Sequence, residues 1–162
     1  LQAEMTLAKA KTGAHALAQL VYVPGVGEGW ATYVEELARE LSLYDSELGV
    51  VGSVMDSMTP RLVADIGMHV YGWSEERALE YLVEKFPATP AERVQLTVRA
   101  IADEPGWMVP YAAGAIEIES LRDEMRRMQG EKFDLRKFHQ LLIEDGTVPF
   151  PALRAKLGLS SR

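Results

Sequence analysis

EGWATYVEELARELSLY, residues 28–44, places Trp30, Tyr33, Val34, Leu37, Leu41 and Tyr44 three or four positions apart. That period follows the 3.6-residue turn of an α-helix and gathers these side chains on one apolar face. The stretch predicts a helix from about Glu28 to Tyr44. Just upstream, Pro24-Gly25-Val26-Gly27 reads as a break, and before it the apolar residues from Leu1 to Val21 return to helical spacing.

The same reading extends downstream. Leu48 to Tyr71 is apolar but carries Gly49, Gly52, Pro60 and Gly67. Pro60, with no N–H to donate, suits the first position of a helix. Gly67 within a helix costs roughly 1 kcal/mol against alanine, so close packing or a ligand is its expected reason. Ser74 reads as an N-cap with Glu75 and Glu76 near the positive helix end, and that helix stops before Pro87. Thr89-Pro90-Ala91-Glu92 reads as a capping box with proline at the first helical position, and Glu104-Pro105-Gly106 ends the helix it starts. Another helix runs from about Val109 to Gln129, closed by Gly130. Asp134 caps a short one reaching Glu144, with Gly146 behind it, and a last one covers Pro151 to Leu157. No stretch of useful length alternates as a strand does. The prediction is an all-α fold, one helical domain over residues 1–162.

Bulk properties narrow the function classes. With 162 residues and an ordinary apolar fraction of 48%, the chain can bury a core. No run of eighteen apolar residues is present, so no membrane span is expected. The opening LQAEMTLAKAK lacks the parts of a signal peptide. Cysteine is absent, which removes disulfides, thiolate metal sites and a cysteine nucleophile. A net charge of −7 argues against nucleic acid as a partner. The densest basic group, Arg122, Arg126 and Arg127, is interrupted by Asp123 and Glu124 and reads as a solvated helix face.

Three stretches could carry chemistry. Glu28 and Glu35, seven apart, share a helix face, although two such acids are also common on plain surfaces. The three histidines, His15, His69 and His139, include no pair four apart, so there is no HExxH helix to hold zinc. Arg61, Asp65 and His69 line one face at four-residue spacing; the plainer reading of His69 is a structural cation at a helix C-terminus. Tyr111, in Pro105-Gly106-Trp107-Met108-Val109-Pro110-Tyr111, either presents its hydroxyl to a cleft or packs in the core. Neither a nucleophile elbow nor a phosphate-cradling glycine loop is present.

Four strings in order, EGWATYVEELARE (28–40), RLVADIGMHVYGWSEERAL (61–79), PGWMVPYAAGAIEIESLR (105–122) and FDLRKFHQLLIEDGTVPFPALR (133–154), resemble the bacterial family called domain of unknown function 885. The resemblance covers nearly the whole chain. It implies kinship with helical gluzincin peptidases such as angiotensin-converting enzyme, the oligopeptidases and the thermostable carboxypeptidases. Family members carry a HExxPGHH metal motif, usually followed by Leu-Gln and then the EGWA helix. Here Leu1-Gln2 opens the chain, so the expectation is a C-terminal portion whose partner is the N-terminal portion of the same protein, inactive alone for want of the histidines.

By that resemblance, Glu28 is a zinc ligand and Glu35 an acid that orients a histidine ligand. His69 and Tyr111 are donors to the oxyanion of a peptide substrate, and Arg61 binds a substrate carboxylate. Trp107 stands where the family usually has glutamine, and an extra residue precedes Pro105. The alternative, from another class, is a non-catalytic helical interaction or scaffold domain.

Overall fold

The computed structural model describes residues 22–43 and 54–160. Its elements are α1 (Pro24–Glu40), α2 (Val54–His69), α3 (Glu75–Lys85), α4 (Ala91–Asp103), α5 (Val109–Gln129), a 3-10 turn at Gly130–Lys132, α6 (Leu135–Ile143) and α7 (Phe150–Lys156). No strand occurs among the described residues, so the fold is all-α. The helix expected over Leu1–Val21, His15 within it, Tyr44, Leu48, Gly49 and Gly52 lie outside the described residues.

Most helix ends fall where local chemistry puts them. Ser74 Oγ accepts from Arg77 N–H at 3.3 Å and Asp134 Oδ1 from Lys137 N–H at 3.1 Å, each satisfying an orphan donor of the first turn. Gly130 follows α5 with φ 56°, the left-handed conformation that glycine adopts without penalty.

Four boundaries differ from the periodic reading. α1 begins at Pro24, because a proline with no N–H fits the first turn, and Gly27 leaves room for the Tyr22 ring that a Cβ would strike. It ends at Glu40, and Ser42 follows with φ 52°. Pro60 stands inside α2, so the helix runs through it and forgoes one backbone hydrogen bond. The capping box at Thr89 does not form: Pro90 is the N-cap, extended at ψ 134°, with no side-chain cap bond.

The chain divides into two compact units. Among the described residues the first holds 22–33 and 113–160. Val26, Trp30 and Tyr33 of α1, Ile118, Leu121 and Met125 of α5, Phe138 and Leu142 of α6, and Leu153 of α7 are buried there. Gly29 lies so close to Gly114 that a Cβ on either would strike the other's backbone, and a Cβ at Gly114 would also strike the Gly25 carbonyl. Arg154, 5% exposed, bonds Glu124 through Nη1 at 3.1 Å and Nη2 at 2.6 Å, and Glu117 at 3.4 Å. Glu117 and Glu124 are seven apart on α5 and turn the same way, toward one cation.

The second unit holds 34–43 and 54–112. There α2, α3 and α4 pack on one another around Ala64, Ala78, Leu82, Val94, Val98, Ile101 and Met108. Gly67 owes its place to packing: a Cβ there would meet the Trp73 ring. Arg77 stacks on that ring at 4.4 Å. No helix among the described residues is long and apolar enough to cross a membrane.

Candidate functional site

Asp65 organises the second unit. It is 1% exposed, and its carboxylate accepts from Gly106 N–H at 2.9 Å and Met108 N–H at 3.0 Å. Those two bonds pin the 104–108 turn and so set where α5, with Tyr111 in its first turn, begins. One turn along α2, His69 Nε2 lies 2.9 Å from the Ile101 carbonyl and 3.7 Å from Asp65 Oδ1. The helical partner of that carbonyl would be the N–H of residue 105, which is proline and has none. A carbonyl has no proton to give, so His69 donates through Nε2–H and closes the C-terminal end of α4. With that proton committed, His69 can donate to a second group only through Nδ1–H, as the imidazolium.

The pinned turn forms one wall of a cleft of about 680 Å³. Arg61 and Tyr111, both singled out by sequence, line it together, beside Arg93, Thr97, Met58 and Trp107. Arg61 is half-buried. Its Nη1 donates to the Ser57 carbonyl at 3.1 Å and its guanidinium lies 5.0 Å from the centre of the Phe86 ring. Burial lowers its pKa below the usual arginine value.

The two acids of α1 have different surroundings. Glu28, half-buried and in the first unit, accepts from the Tyr22 hydroxyl at 2.6 Å through Oε1. Glu35 is exposed, whereas its neighbour Glu36 is 5% exposed and pairs with Arg39 at 3.0 Å. Thus Arg61 and Tyr111 share a cleft, His69 shares their unit, and Glu28 belongs to the other unit. Among the described residues no three His, Asp or Glu side chains gather as metal ligands would.

A buried polar chain in the first unit escaped the sequence reading. Tyr33 Oη lies 2.8 Å from His139 Nε2, and Arg122 Nη1 approaches the same oxygen at 3.5 Å. Arg122 is 7% exposed with its guanidinium 5.3 Å from the Tyr33 ring centre, while Arg126 and Arg127 are exposed. The basic group is therefore not one solvated face: Arg122 turns inward because α5 is buried on that side. Arginine can only donate, so Tyr33 accepts from Arg122, and it donates to His139 in the tautomer that leaves Nε2 unprotonated. The only early sign was the Tyr33 position on the apolar face of α1, which says nothing about its polar partners.

Burial, and after it the charge of Arg122, pushes the His139 imidazole below its usual value of 6.5. The folded state therefore takes up this proton less readily than the unfolded chain. Its contribution is intact above pH 6.5 and is lost as pH falls below that value. The urea midpoint is expected to drop between pH 7.5 and 5.5, and to drop less in His139→Gln, which retains an acceptor for Tyr33. Parallel declines in both proteins would show that another group titrates.

Helices only, a carboxylate seated on a helix, a histidine closing a neighbouring helix and a cleft lined by two arginines define the class: a helical domain with a polar cleft built from α2, α4 and the start of α5. The chain belongs to the bacterial family of proteins of unknown function DUF885, whose model matches residues 1–157. This bears out the family resemblance drawn from the four strings. The chain is also similar to a solved structure described as "the putative lipoprotein from Colwellia psychrerythraea", with 31% identity and a TM-score of 0.80. The match covers 88% of this chain and 25% of that one, so this chain spans a quarter of that protein's length. No curated protein matches.

Proposed function

We propose that these 162 residues are the C-terminal helical part of a zinc-dependent peptidase, with Glu28 as the metal ligand they contribute. The observation that carries this reading is the Tyr22–Glu28 bond of 2.6 Å. It fixes one carboxylate oxygen, and carboxylates that ligate metals are commonly held by such a hydrogen bond. The donors described here do not make a zinc site by themselves. None of the histidines has the HExxH spacing, so in this reading the other ligands come from another segment of a longer polypeptide or from an associated chain.

In this reading Glu35 orients one of those histidines, and Tyr111 and His69 serve the peptide substrate as donors, His69 through Nδ1–H. Arg61 faces the substrate's carboxylate. Taken alone, the 162-residue chain binds zinc poorly and hydrolyses nothing. The longer polypeptide carrying the histidine motif tests this directly. There, Glu28→Gln is expected to lose most bound zinc, measured by atomic absorption, together with hydrolysis of short peptides. Equal zinc content in variant and parent removes Glu28 from the metal.

One observation favours the second reading, a non-catalytic helical scaffold. Asp65 and His69, the polar pair of the D-x-G-x-H segment, spend their hydrogen bonds on the protein's own backbone. If the longer polypeptide binds no zinc at all, that reading takes over.

A further inference from the structure

We propose that the cleft between α2, α4 and the start of α5 binds the terminal carboxylate of a ligand with an apolar body, a peptide ending in an apolar residue. The proposal requires neither zinc nor hydrolysis, although Arg61 also has a substrate role in the functional reading. The two can therefore fail separately.

The charge pattern points to an anion. The chain carries −7 overall, yet among the described residues this cleft is lined by Arg61 and Arg93 and by no acid. Among the described residues neither arginine forms an ion pair. A half-buried guanidinium has lost part of its hydration, so an opposite charge gains more there than at an open surface.

The geometry favours a carboxylate over other anions. One Arg61 N–H is spent on the Ser57 carbonyl and the Phe86 ring lies against the group, so the fork is held in place. Of its five N–H donors four remain for a planar, bidentate partner. Arg93 is exposed and supplies charge at the rim. The rest of the lining includes Met58, Leu96, Trp107 and Met108. Those apolar side chains suit an aliphatic side chain, which a phosphate or sulfate lacks. A cleft of about 680 Å³ has room for a residue or two.

The test uses the whole 162-residue chain and the probe N-acetyl-Ala-Leu, with its C-terminal amide and inorganic phosphate as comparisons. Binding is read by isothermal titration calorimetry. The free acid is expected to bind with a dissociation constant on the order of millimolar or tighter, and the amide about tenfold or more weakly, the fold-change of one charge-assisted hydrogen-bonded pair. Arg61→Met should weaken the acid to the level of the amide, and Arg77→Met, outside the cleft, should leave it unchanged. The acid–amide comparison changes no residue of the protein, so it stands even if Arg61→Met fails to fold. Equal binding of acid and amide overturns the proposal. So does displacement of the peptide by phosphate at matching concentration, or no heat from the acid at concentrations well above millimolar.

Discussion

Asp65→Ala is expected to lower the unfolding free energy by about 3–5 kcal/mol, a large share of the roughly 5–15 kcal/mol that holds a domain together. Its carboxylate is 1% exposed and accepts two backbone N–H groups, those of Gly106 and Met108. Hydrogen bonds to a charged acceptor contribute about 1.5–3 kcal/mol each, and their removal strands a buried donor at Met108. His69 also loses the carboxylate 3.7 Å from its ring. Asparagine recovers only part of the loss, because its one amide oxygen can serve a single N–H while its NH2 group faces the other. Urea unfolding followed by circular dichroism at 222 nm measures both variants. A loss below about 1 kcal/mol for alanine would mean that the turn is held by other contacts. The effect should also reach the cleft, since Trp107 and Tyr111 follow from where that turn is pinned.

Gly114→Ala should destabilise the first unit by about 2–3 kcal/mol, at the upper end for overpacking. On most exposed helix faces alanine in place of glycine stabilises by about 1 kcal/mol. The sign reverses here because the new Cβ would lie 2.8 Å from Gly29 Cα and collide with the Gly25 carbonyl, backbone atoms that no rotamer change can move. α1 and α5 must then separate, and Glu28, next to Gly29, shifts with its helix. Thermal unfolding of Gly114→Ala against the parent measures the cost. As a control, Ala113→Gly on the exposed neighbouring position should lose only the helix propensity of one alanine, about 1 kcal/mol. Stabilisation by Gly114→Ala would mean that the two backbones are not in contact.

Signals confined to one turn of chain were the legible ones. Ser74, Asp134 and Gly130 mark helix ends through hydrogen bonds or φ values within three residues, and each stands where the local pattern puts it. Positions whose meaning depends on a distant partner were not legible. Gly114 is legible only as a helical glycine in the sequence, whereas the structure packs it against Gly29 and the Gly25 carbonyl, more than eighty positions away. Arg122 read as solvent-facing because its neighbours in sequence are charged, but its neighbour in space is Tyr33.

The candidate site divides in the same way. Its residue types and the four-residue spacing of Arg61, Asp65 and His69 are properties of one helix, and periodicity alone determines that they share a face. That Asp65 holds the turn at 106–108, that His69 replaces the proton Pro105 lacks, and that Arg61 meets Tyr111 across a cleft are pairings over 32 to 50 positions. Only tertiary structure decides those, because helical periodicity carries no information beyond its own helix, whereas a buried donor or acceptor takes whatever partner the packing brings within 3 Å.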